Sequence, residues 1–255
     1  MSFVNLAAAV AAGAIERIVG DFVVYKNIGG EIELTSDLII PAGQQVRLDG
    51  NFYMPNIIVN GSFVMGDPEG LVDTKIRAGL TAFGNATIAI TNTARFSPMW
   101  DFSLNGNAAL VNLGKIIDEY VADYSDADDD IHGDDLNEWA PLHMRDDSRF
   151  INRGISEFSM HLHDRSTFHL VDGRLTLFVN GYDNALFIHD GGACTSDFTV
   201  EGNFTITGAL IPVESSTEDD MSEEENSSSE DEHDSYGPGG LADVVPNILG
   251  ETGGD

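Results

Sequence analysis

The sequence predicts an all-β fold wound as a parallel β-helix, with an antiparallel sandwich or jelly roll as the alternative. Three observations carry this. The pattern apolar-x-apolar-polar-Gly recurs as VRLDG (46–50), IIVNG (57–61), FSLNG (102–106), LFVNG (177–181) and FTVEG (198–202), with HLVDG (169–173) as a looser copy. Alternation at period two marks strands, and the polar-Gly pair marks turns. Gly61, Gly84 and Gly106 lie 23 and 22 residues apart, and Gly181 and Gly202 lie 21 apart, which suits a solenoid in which one repeat is one circuit. Finally, SDLIIPAGQQVRLDG (36–50) reads as a strand, a Pro/Gly corner and a second strand. Asn-Gly and Asp-Gly also signal hairpins, which keeps the antiparallel alternative open.

Taken in order, residues 1–20 predict a helix over 2–19, capped by Asn5, rich in alanine and apolar at Leu6, Val10, Ile15, Ile18 and Val19. It either covers the end of the main body or serves assembly. Residues 21–213 form the β-rich body. In its first rung Pro41 sets a corner that needs no ladder donor, Gly43 and Gly50 turn the chain, and Ile39, Val46 and Leu48 are expected to point inward. An acidic insertion is placed at 115–154, opening with a short helix at Lys115–Tyr124, and strand text resumes near Phe158. Residues 214–240 read as a disordered Ser/Glu/Asp linker. Residues 241–255, with LADVVPNIL, read as a short docking segment or as a tail folding back on its own body.

Charge bounds function. The chain of 255 residues has 43 acidic and 12 basic residues, only three of them lysine, for a net charge of −31. Ten acids fall in 118–138 and eleven in 214–234, yet 22 acids still face 12 bases outside those windows. Such a surface repels phosphates and anionic lipids, so neither a nucleic-acid nor a membrane partner is expected. Pervasive acidity with little lysine resembles the proteins of salt-loving archaea and their viruses. At about 1 M salt the Debye length is about 3 Å, so self-repulsion is screened. No basic residue precedes the apolar run 6–15, so no secretory signal is read there.

The stretch 36–50 resembles the first rung of many right-handed β-helix proteins, including phage tailspikes and fibres and the pectate-lyase-like families. The close resemblance covers about fifteen residues and implies architecture, with association in threes expected if the chain is a spike.

Chemistry-bearing motifs are few. In DADDDIHGDD (126–135), Asp128, Asp130, His132 and Gly133 match positions 1, 3, 5 and 6 of a calcium loop, and Asp134 adds a carboxylate. Position 12, however, is Trp139, with Glu138 one residue early. Calcium or another cation is the expected ligand if that loop binds one. In MHLHD (160–164), His161 and His163 would face one way, but a metal wants three or four ligands, so His143, His169 or Asp164 must join. A three-fold axis would also multiply the pair, similar to the iron-bearing His-x-His tips of some phage membrane-piercing spikes. No G-x-S-x-G, P-loop or strand-linked G-x-G-x-x-G is present, and Cys194 has no motif around it. No catalytic residue is assigned. The reading is a virion structural protein of a halophilic host: a fibre, spike, turret or decoration element. It would be made in the host cytoplasm and associate with itself, other virion proteins and a host glycan or surface layer. The alternatives are a carbohydrate-active β-helix enzyme and a surface adhesin.

Overall fold

The computed structural model describes residues 1–117 and 141–208. Among them every strand pairing is parallel except one, between Glu16–Val19 and Val23–Lys26. The strands stack into a solenoid of about eight turns, so the antiparallel alternative falls away. Each turn crosses three faces. The first face carries Val23–Lys26, Gln45–Asp49, Ser62–Met65, Thr87–Ile90, Ala109–Asn112, Arg149–Asn152, Thr167–Leu170, Leu186–His189 and Thr205–Gly208. The second carries Ile32–Leu34, Lys115–Ile117, Ile155–Glu157, Arg174–Thr176 and Ala193–Cys194. The third carries Leu38–Ile40, Leu142–Met144, Met160–Leu162, Phe178–Gly181 and Asp197–Val200. Phe52–Val59, Thr74–Ala82 and Ala94–Leu104 bend across the intervening corner and serve both the second and third faces, with register shifts at the bend.

The core is built from inward columns. On the first face Phe63, Ile88, Leu110, Phe150, Phe168 and Phe187 follow one another in register, all at most 1% exposed. Neighbouring rings touch: the Phe150 and Phe168 centroids lie 4.9 Å apart, edge-on, and those of Phe168 and Phe187 5.2 Å apart, stacked. Parallel strands make this possible because equivalent side chains sit one above another at the inter-strand spacing of about 4.8 Å.

Corners are solved in two ways. Between the third and first faces the chain turns through a left-handed residue: Gly84, Gly106, Asp146, Asp164, Asp183 and Gly202 all have φ between 57° and 71°. Asp tolerates this conformation better than most side chains. Between the first and second faces the turns from the fifth on carry glycine, at Gly114, Gly154, Gly173 and Gly192, where the backbones approach closely. A Cβ on Gly154 would lie 2.1 Å from the Gly114 carbonyl oxygen. Gly154→Ala is therefore expected to cost roughly 1–3 kcal/mol through steric displacement, read from urea unfolding. At the same corner the buried amides of Asn112 and Asn152 are satisfied internally: Asn112 Nδ2 donates to Asn152 Oδ1 at 2.9 Å, and Asn112 Oδ1 accepts from the Gly114 amide at 3.0 Å.

Several expectations need correction. The helix expected over 2–19 is limited to Leu6–Ala11. Asn5 does cap it, accepting from the Ala8 amide at 3.0 Å, but Gly13 turns left-handed and the β-branched run at 16–19 pairs as a strand instead. Leu6 and Ala9 join the core at the start of the solenoid. Lys115–Ile117 is strand, not helix, because its register on Arg95–Phe96 extends the second face. The interruption is narrower than 115–154, since regular rungs resume at Leu142, well before Phe158. Ile39 is 60% exposed; its neighbours Leu38 and Ile40 face the core instead. The LFVNG copy is no turn, as Phe178–Gly181 is strand and Asp183 makes the corner.

Candidate functional site: an imidazole stack beside a carboxylate ladder

His143 and His161 stand outward on the third face in direct register, in the fifth and sixth turns. Their rings stack with centroids 4.9 Å apart. His163 begins the following corner, and one turn later Tyr182 occupies the equivalent corner position, its ring stacked on His163 at 4.6 Å. The Tyr182 hydroxyl lies 3.5 Å from His161 Nδ1, and the rings of His161 and His163 are 6.2 Å apart. Three imidazoles and a phenol thus form one cluster. Of the three partners the sequence offered, His143 joins the cluster, Asp164 stands in the adjoining corner, bonded to the Asp146 amide, and His169 does not join: it sits on the first face with Nε2 2.6 Å from Asp190 Oδ2.

Burial disfavours charge on all three imidazoles. His161 is pushed down to about 4, first by burial and then by His143 and His163. His143 is lowered by burial, Arg145 and His163, against an opposing pull from Asp101. His163 is lowered by burial and Arg145, opposed by Asp183 and Asp164. Burial thus favours the uncharged form of all three rings.

Directly beside it runs a ladder of corner carboxylates. Asp146 Oδ2 accepts from the Gly106 amide at 2.8 Å, Asp164 Oδ2 from the Asp146 amide at 2.9 Å, and Asp183 Oδ2 from the Asp164 amide at 3.3 Å. Each side chain is thereby fixed to the turn above. Arg165 clamps Asp147 with two bonds of 2.6 and 2.7 Å, which holds the Asp147 carboxyl below its ordinary range. An open pocket of about 330 Å³ is lined by Asp146, Asp164, Arg165, Asp183 and Asn184. The ladder left little sequence signal, because Asp and Gly exchange at the same left-handed position and mask the repeat.

No family model, curated protein or solved structure matches the chain. The site therefore rests on its own geometry. Among the described residues no group of three or more His, Cys, Asp or Glu is placed to hold a metal ion. Asp128, Asp130, His132 and Asp134 lie outside the described residues. Retaining glycosidases need two carboxyls about 5 Å apart. The backbone rung spacing of about 4.8 Å repeats at every turn of the ladder, so it singles out no pair. Cys194 is half-buried and faces the core.

Proposed function

We propose that the chain is a structural component of a virion from a halophilic host, a fibre, spike, turret or decoration element that presents its third face and adjoining corner outward. The observation that carries the reading is the ladder Asp146, Asp164, Asp183. Three exposed carboxylates stand in axial succession at the rung spacing of about 4.8 Å, on a chain of net charge −31. Like charges so placed repel one another, and abundant counter-ions remove that cost. A solenoid with a long regular core and few protruding loops among its described residues suits a load-bearing part.

The pocket beside the imidazole stack favours the second reading, glycan contact with or without cleavage. Arg, Asp and Asn donors and acceptors next to aromatic rings are the usual equipment for holding sugars. Antibody against the β-body, used on cells and on released particles of the source culture, tests the first reading; label confined to cells overturns it. Thermal unfolding tests the brine argument. The midpoint is expected to rise by about 10 °C between about 0.1 M and 3 M KCl, roughly 3–5 kcal/mol at about 2–4 °C per kcal/mol. An unchanged midpoint would remove the halophilic part.

A further inference from the structure

We propose that the second face is a docking surface for a second copy of this chain, whose acidic third-to-first corner it receives side by side. Five of the twelve basic residues lie on strands of that face: Lys75, Arg77, Arg95, Lys115 and Arg174. Lys75, Arg95 and Lys115 are in direct register on successive turns, and the column continues through Ile155 to Arg174. Like charges directly opposite one another on neighbouring strands are destabilising. A cationic column on so acidic a chain therefore calls for anions against it. Lys75 and Arg95 are engaged within the chain, and Arg77 pairs with Glu31 at 2.7 Å. The lower part of the face is the exposed part: Lys115, Arg153 at its border, and Arg174, which also pairs with Glu157.

The chain carries the matching surface at the same height. Lys115 and Asp146 belong to the fifth turn, Arg153 and Asp164 to the sixth, Arg174 and Asp183 to the seventh. In a three-sided solenoid the third-to-first corner lies across the body from the second face. A copy displaced sideways, with no shift along the axis, sets three cations against three carboxylates, turn for turn; of the exposed arginines in the same corner, Arg165 is held by Asp147 and Arg145 stands beside Asp146. The backbone bonds to each Asp Oδ2 hold those carboxylates in place beforehand, which lowers the ordering cost of association. Ile155 lies between Lys115 and Arg174 in the column and adds an apolar centre. Ion pairs closed off from water are screened far less than exposed ones, so the contact is compatible with brine. The two patches differ and lie on opposite sides, making the contact heterologous. It repeats into open rows and does not close a ring of three.

Sedimentation of the full chain over a concentration series in about 1 M KCl, where only close pairs act, tests this. The expected result is a mass that grows with concentration past three copies. Two variants, Lys115→Glu with Arg153→Glu and Asp164→Asn with Asp183→Asn, should each weaken association at least about tenfold. The first removes a cationic neighbour of Arg95; the second keeps a side chain suited to the left-handed corner. Circular dichroism checks that both fold. A monomer at every concentration, a closed trimer, or association unchanged by both variants overturns the proposal. None of these outcomes depends on whether the chain is found in particles.

Discussion

Phe168→Ala is expected to lower the unfolding free energy by about 3–5 kcal/mol. Phe168 is fully buried and stands between two rings, edge-on to Phe150 at 4.9 Å and stacked on Phe187 at 5.2 Å. The cavity cannot collapse, because the ladders above and below hold the backbone at fixed spacing. Each turn of a solenoid is stabilised mainly by its neighbours, so the damage spreads along the axis. Urea unfolding followed by circular dichroism, at constant molar salt, measures it. A loss below about 1 kcal/mol, the scale of an ordinary surface change, would mean that the phenylalanine column is not continuous.

Acid is expected to weaken the fold through the imidazole stack. His161 is held at about 4 against an ordinary value of 6.5, with burial as the first cause, and His143 and His163 are lowered in the same direction. Groups lowered in this way bind fewer protons folded than unfolded. For His161 the contribution is complete above about pH 6.5 and is lost as the pH falls through about 4, and His143 and His163 act in the same direction. For His161 the full shift would be about 3 kcal/mol; because the ring is only partly buried, roughly 1–2 kcal/mol is expected. The three rings titrate as a coupled set. Asn180 already stands in this column one turn further on, so His161→Asn is compatible with the strand. The slope of stability between about pH 5 and 6.5 should be shallower in that variant than in the wild type. Equal slopes would show that the cluster titrates as if in water.

Much of the solenoid was legible because its signals are local. Pro41 and Gly43 mark a corner, and Val46 and Leu48 do face inward at 6% and 0% exposure. IIVNG, FSLNG and FTVEG all end at the third-to-first corner, which explains their even spacing. VRLDG and HLVDG end at the other corner, so a single motif was covering two different turns. The two helix misreadings share one cause. Alanine content and helical spacing at residues 2–19 are properties of the segment alone. Strand formation at 16–19 and 115–117 depends on a neighbouring ladder whose bonds outweigh local preference.

The sequence by itself determined an all-β body, the acidity and His161 with His163 as a pair, since composition, period two and a circuit in the low twenties are written along the chain; strand pairing decided for the solenoid over the sandwich. Only the tertiary structure decided which residues share a height. His143 meets His161 across 18 residues, Asp146, Asp164 and Asp183 form a ladder, and Lys75, Arg95 and Lys115 form a column. Circuit length varies from turn to turn, by 25 residues between Phe63 and Ile88 but 19 between Phe168 and Phe187. Without the register of the hydrogen-bonded ladders, no fixed period can align side chains that stand one above another.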